Sequence, residues 1–180
     1  MTSILSALAQ WLPVRVAVVG DFMLDQLVYG DAERLSPDAP VPVLAVRDTQ
    51  KRPGGSANVC LDLVAMHAQV RAVGLVGPDA EGQTLRGSLQ AAGVGVEGLI
   101  ADASRPTTIK RSLIGLAQHR HPQKMFRMDV ESRAPVSGDA EKALLHAVRQ
   151  AIEWAEVVCL EDYNKGVCSP AICRVVIDEA

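Results

Sequence analysis

Apolar residues arrive along this chain in short, β-branched runs separated by stretches of helical spacing. Residues 14–20 read VRVAVVG, residues 70–77 VRAVGLVG and residues 157–160 VVCL. A short continuous apolar run, closed by glycine or acids, is the pattern of a strand buried on both faces of a parallel sheet. Between these runs, residues 55–67 place Val59, Leu61, Leu63, Val64 and Met66 in a weakly amphipathic helix. Asp79 predicts the N-cap of a helix reaching about residue 92, with Gly93 as its terminator. Ser137 opens a helix with Ala143, Leu144, Ala147, Val148, Ala151 and Ile152 on one face. Ser169 opens the last helix, with Pro170 in its first turn, where a missing N–H costs nothing. Residues 94–100, 107–116 and 124–129 read as further strands, the last two flanking a polar loop at 118–123. Residues 29–46 carry Pro37, Pro40 and Pro42 among Val41, Val43 and Val46, which suits an edge or projecting strand. The alternation of strand and helix predicts an α/β domain with a mainly parallel sheet. No internal repeat or low-complexity segment interrupts it.

Composition narrows the function. The 180 residues suffice for one domain with a real core, and 48% hydrophobic with 22% charged is ordinary for a soluble globular chain. A net charge of -3 argues against a nucleic-acid binder held by phosphate contacts, and 3% aromatics against a stacking platform for single strands. Four cysteines form no CxxC pair. Cys60 and Cys159 lie in apolar runs and read as small core residues. Cys168 and Cys173 lack the companions a zinc site needs, so the thiols read as those of a reduced, cytoplasmic protein. His67, His119, His121 and His146 are not read as ligands. Residues 1–11 are mildly amphipathic, with no basic segment or cleavage pattern of a signal peptide. No stretch approaches the ~20 apolar residues of a membrane span.

Chemistry gathers where the strands end, because open α/β sheets bind ligands at the carboxyl ends of their strands. Three such ends carry acids: Asp21 after Gly20, Asp79 after Gly77 and Pro78, and Glu161 with Asp162 after Leu160. Asp21 and Asp25, four apart, share one side of a helical turn if GDFMLD forms one, and could accept hydrogen bonds from vicinal hydroxyls. Equally, Asp21 could cap a turn and Asp25 be solvated. The first strand leads into GDFMLD rather than GxGxxG, which excludes a dinucleotide fingerprint. At PGGSAN, Gly54 and Gly55 let the backbone pass close to a ligand as it enters a helix. The Asn58 amide, one turn in, can both donate to and accept from a polyol.

Taken in order, GDFMLDQLVYGDAERLSPDAPVPVLAV, RPGGSANV, GLVGPDAEG and EDYNKG resemble the ribokinase/pfkB family of carbohydrate kinases. SPDAPVPV together with DYNKG is most similar to its heptose-7-phosphate kinases. The resemblance implies a doubly wound, mainly parallel sheet with a small β-lid over the sugar. Residues 29–46 and 107–129 would supply the lid, which in relatives often also joins two copies as a homodimer. Residues 1–180 would then be the N-terminal, sugar-binding half of a kinase domain, truncated before the rest.

The same resemblance puts Asp21 and Asp25 by the sugar hydroxyls and brings Gly54, Gly55 and Asn58 up to the sugar. Lys110 and Arg127 become candidates for a sugar-phosphate group, or else solvated lid charges. Asp162 and Lys165 fall near the phosphate end of the site, where Lys165 could balance charge. The implied reaction is ATP-dependent, Mg2+-assisted phosphorylation of a heptose 7-phosphate at its anomeric hydroxyl. The family's Gly-Ala-Gly-Asp base motif and Asn-x-x-Glu metal motif are absent from these residues. No catalytic residue and no metal ligand is therefore expected in this chain, which should be inactive alone. A non-catalytic sugar-binding or dimerisation module, and a ribokinase or fructokinase, are the alternatives. Ser56, Cys60 and His67 depart from the family pattern; if position 67 needs a positive φ, histidine adopts it at some cost.

Overall fold

The computed structural model describes residues 13–116 and 121–180. The readings made for residues 1–11, for His119 and for the first part of the 118–123 loop lie outside the described residues. Two four-stranded sheets organise the described residues. In the core sheet, β1 (Arg15–Gly20), β4 (Gln69–Val76), β5 (Gly95–Ala101) and β8 (Val157–Glu161) lie in the order β5-β4-β1-β8, all parallel. In the second sheet, β2 (Phe22–Leu35), β3 (Pro42–Gly55), β6 (Thr108–Leu116) and β7 (Gln123–Val130) lie in the order β3-β2-β6-β7. Only β2 and β6 are parallel there; the outer pairs are antiparallel.

Helices cover both faces of the core sheet, and the alternation along β1 shows why. Val16 and Val18 pack with Ala57 and Cys60 of α1 (Ser56–Ala65) and with Leu85 and Leu89 of α2 (Ala80–Ala91). Ala17 and Val19 point the other way, onto Leu144 and Val148 of α3 (Gly138–Trp154) and Ile172 and Val176 of α4 (Pro170–Glu179). A strand covered twice has no polar face to show, hence its unbroken apolar run. The fold is thus α/β and doubly wound, as expected.

The helix boundaries follow their caps. The Asp79 carboxylate accepts from the Gly82 N–H at 2.8 Å, and Ser169 Oγ accepts from the Ile172 N–H at 3.4 Å. Gly93 closes α2 at φ 86°. His67 stands at φ 66°, the left-handed position past α1 that glycine would fill most cheaply.

The sequence reading of residues 21–55 needs correction. GDFMLD does not form a helical turn: β2 begins at Phe22 and continues for 14 residues. Phe22, Met23 and Leu24 are all buried, which holds the segment extended between Gly55 on one side and Thr108 on the other. The prolines of 29–46 mark the turn of a long β2–β3 hairpin, with Pro37 and Pro40 between the strands and Pro42 opening the outer one. The residues expected for a lid fall in this second sheet, whose strands β2 and β3 extend well beyond 29–46, while β6 and β7 lie within one residue of the 107–129 expected.

One polar knot fixes this second sheet to the core. Thr107, just before β6, donates its N–H to Asp79 Oδ2 at 2.8 Å and its hydroxyl to Asp79 Oδ1 at 2.6 Å. The Gly77 N–H at the end of β4 donates to Thr107 Oγ1 at 2.9 Å. Burial pushes the Asp79 carboxyl up, but these Thr107 bonds and the Gly82 N–H outweigh it and leave the group below its ordinary value.

Candidate functional site

Asp21 leaves β1 where the core sheet meets the lid, and it is 1% exposed. Its N–H donates to the Glu161 carbonyl, and its own carbonyl accepts from the Ser56 N–H, both at 3.1 Å. Its carboxylate accepts from the N–H groups of Tyr163 (2.8 Å), Lys165 (3.0 Å) and Val167 (3.2 Å). A carboxylate so enclosed is a clamp on the EDYNKG loop. It is not a surface offered to sugar hydroxyls, as the sequence reading had it. Asp21 and Asp25 do not share a face: one is sealed in the core and the other opens onto the lid.

The loop that Asp21 holds is braced from two further sides. Arg105 forms a buried pair with Asp102 at 2.7 Å and donates to the carbonyls of Lys165 (3.0 Å) and Ala134 (3.2 Å). Lys165 Nζ lies 3.0 Å from Glu131 Oε2, with both side chains largely buried. That pairing corrects the role expected for Lys165: its charge is already met by Glu131. The Lys165 bond, with help from Arg133 against the opposing effect of burial, holds the Glu131 carboxyl below its usual range. Asn164 at φ 58° and Gly166 at φ 89° shape the loop. Asp162 stays exposed, its Oδ1 accepting the Asn164 N–H at 2.7 Å.

Asp25 faces a pocket of ≈ 310 Å³ on the lid sheet, together with Arg52, Lys110, Ser112, Lys124 and Arg127. Strand register puts Arg52, Asp25, Lys110 and Asp129 in one row across four strands. Spacing in sequence could not have joined Arg52 and Lys124 to this set; only the pairing of distant strands does. Gly54 lies directly beside Asp25, and a Cβ there would come within 2.6 Å of Asp25 Oδ2. Among the described residues the Asp25 carboxylate has no hydrogen-bond or ion-pair partner.

The pocket also reaches toward the clamped loop. Lys110 Nζ is 5.6 Å from the centre of the Tyr163 ring, a cation–π distance. Burial, then the Glu161 carboxylate, pushes the Tyr163 phenol up, so the ring stays neutral under the ammonium.

Gly55 turns the chain into α1 at φ 56°, with no side-chain cap on that helix. Ser56 is fully buried beside Gly20, and its Oγ has no partner among the described residues. Asn58 lies exposed on α1 and donates to Asp62 Oδ2 at 3.0 Å, so its amide is engaged along its own helix. Burial pushes the Cys60 and Cys168 thiols up to about 12 and the Cys159 thiol up to about 11, which keeps these three in the protonated, less nucleophilic form. Among the described residues, no cluster of three or more His, Cys, Asp or Glu is placed to hold a metal ion, and no helix is long and apolar enough to cross a membrane.

Comparison with known proteins places this geometry. A family profile described as pfkB family carbohydrate kinase matches residues 14–176. The bifunctional protein HldE of Wolinella succinogenes is 38% identical over 165 residues, covering 92% of this chain and 34% of the relative. That of Rhodopseudomonas palustris is 42% identical over 165 residues, covering 92% and 33%. The chain thus spans about a third of the length of these relatives. Among solved structures, a carbohydrate kinase from Agrobacterium tumefaciens superposes with a TM-score of 0.62 at 18% identity, over 82% of this chain and 45% of that one. The ribokinase of Arabidopsis thaliana, complexed with ribose and ATP, gives 0.58 at 19% identity, over 83% and 45%. At those identities the likeness shows the fold.

Proposed function

The chain belongs to the pfkB family of carbohydrate kinases, and from that premise we propose that it holds the acceptor sugar for phosphorylation at an anomeric hydroxyl. The acceptor is a sugar that already carries a phosphate, a heptose 7-phosphate by its likeness to the HldE proteins. The observation that carries this reading is the Asp25 carboxylate: partly exposed, without a partner among the described residues, and close against Gly54 beside a cationic pocket. A carboxylate left open in this way accepts hydrogen bonds from vicinal hydroxyls without first breaking bonds of its own. Gly54 and Gly55 keep the approach free of side chains.

Turnover requires ATP and a divalent metal. The part proposed for the described residues is to bind and orient the sugar while the second sheet excludes water from it. The lid leaves Phe126 (65% exposed), Val46 and Leu35 open to solvent, which supports pairing of two copies through it.

Calorimetry with heptose 7-phosphate, ribose and fructose 6-phosphate tests the proposal. Heptose 7-phosphate should bind the 180-residue chain most tightly, with no ATP turnover. Preference for ribose would move the chain to another branch of the family. Turnover by the isolated chain would overturn the division of labour.

A further inference from the structure

We infer that Lys165, through Glu131, is a positioning residue: it pins the β7 end of the second sheet to the 162–167 loop, so that a displacement of that loop is carried into the sheet. The inference concerns how the two sheets are joined and does not depend on which ligand they hold.

The second sheet meets the core at four crossings, and strand register puts all four in one row. Phe22 stands opposite Gly55, Met23 opposite Thr108, and Ile109 opposite Val130. The row runs from the Gly55–Ser56 junction through Asp21 and Thr107 to Glu131, which directly follows β7. Its first three members are packed: Ser56, Asp21 and Thr107 are each no more than 1% exposed. The fourth crossing is different. β7 pairs with β6 alone, and all eight of its residues are exposed. Arg127 pairs with Asp129 along the strand at 2.8 Å rather than reaching the core.

Glu131 makes the tie that β7 lacks. Its Oε2 lies 3.0 Å from Lys165 Nζ, with the two side chains only 15% and 11% exposed. Its Oε1 accepts from Arg133 Nε at 2.8 Å, but that exposed guanidinium belongs to the same segment and fixes nothing across the crossing. Arg105 Nη2 donates to the Ala134 carbonyl at 3.2 Å, and the Val136 N–H to the Gly166 carbonyl at 3.0 Å. Both bonds lie further along the chain, toward the core. Among the described residues, Lys165 is therefore the first group beyond β7 to hold its end. A pair so shielded from water is costly to break, unlike the exposed Lys51–Glu81 contact at 3.9 Å between β3 and α2. The same loop also brings the Tyr163 ring to 5.6 Å from Lys110 of β6. It thus touches two adjacent strands while Asp21 grips its backbone from the core.

Hydrogen exchange of backbone amides in the full chain, followed by NMR, tests the pin. Lys165→Met should speed exchange in the β6–β7 ladder nearest Glu131 by about tenfold or more, and leave β2–β3 and β1–β4 amides within about twofold. Glu131→Gln should reproduce the pattern. The two substitutions together should do no more than the larger single one, since both remove the same bond. Arg133→Gln and Lys51→Gln should leave the ladder unchanged. A merely stabilising contact would instead speed every amide that exchanges through global unfolding. The inference is overturned by equal acceleration in β1–β4 and β6–β7, by none in either single variant, or by additive effects in the double variant. It is equally overturned if Arg133→Gln loosens the ladder as much as Lys165→Met. Should Lys165→Met fail to fold, Glu131→Gln carries the same criteria, because it keeps a neutral acceptor for Lys165.

Discussion

Five of the six residues of β1 are buried, while all eight of β7 are exposed. The core sheet is parallel and covered on both faces by helices; the second sheet mixes directions and leaves apolar side chains such as Phe126 in solvent. Their polar groups differ in the same sense. Around the core, carboxylates are saturated: Asp21 by three backbone N–H groups, Asp79 by Thr107 and Gly82, Asp102 by Arg105 and Ser104. On the second sheet, Asp25, Arg52, Lys110 and Lys124 have no ion-pair partner among the described residues. A group whose bonds are complete contributes to stability, and one whose bonds are incomplete has capacity left for a ligand. Core substitutions should therefore cost folding free energy, and lid substitutions affinity.

The hardest blow to that division is Asp21→Ala. It leaves three N–H groups, one buried and two part-buried, without an acceptor and should cost about 3 kcal/mol in urea unfolding. A small change would mean that water replaces the carboxylate and that the clamp is dispensable.

Acid comes next. Asp79, Asp102 and Glu131 all titrate below their ordinary values when folded; for Asp102, burial opposes the shift, and bonds from Ser104 and Arg105 prevail. An unfolded chain takes up protons before such groups do. Their stabilisation is thus complete above about pH 5 and drains away as pH falls through the lowered native values. Urea midpoints measured from pH 7 to pH 3 should hold and then drop; a flat profile would remove these carboxylates from the account.

On the lid, Asp25→Asn should weaken sugar binding by about tenfold while changing stability by no more than about 0.5 kcal/mol. Gly54→Ala sharpens the same point, since its new methyl meets the Asp25 carboxylate rather than backbone and should cost affinity before stability. A large stability loss in either would show that the lid site is structural. The smallest effect is a gain: Ser56→Ala removes a buried hydroxyl without a partner and should stabilise by up to about 1 kcal/mol.

The sequence was most legible where one local rule decides. The runs in β1, β4 and β8, the caps at Asp79 and Ser169, and the stop at Gly93 are written in adjacent residues. The positive φ of His67 enters only as a condition, through its departure from the family pattern, and the residue does take it. Legibility failed where neighbours in space decide. GDFMLD has a spacing compatible with a helical turn, but pairing with Gly55 and Thr108 makes it a strand. In the site, Asp25, Lys110 and Arg127 do line one pocket. Yet the partners that set their roles, such as Glu131 for Lys165 and Asp129 for Arg127, compete at a level that composition and spacing do not carry. Arg52 reaches the site only through the register of β3 on β2.

The Asp21 clamp also orders events in time. Its three bonds join positions 142, 144 and 146 residues apart. Contacts of that separation close late, because the chain between them must already be compact. The EDYNKG loop, and with it the Tyr163 wall beside Lys110, therefore takes shape only after β1 and β8 have come together across the sheet. Protection of the Tyr163, Lys165 and Val167 amides from hydrogen exchange should then appear with the docking of β8 on β1 rather than with the β2–β3 hairpin.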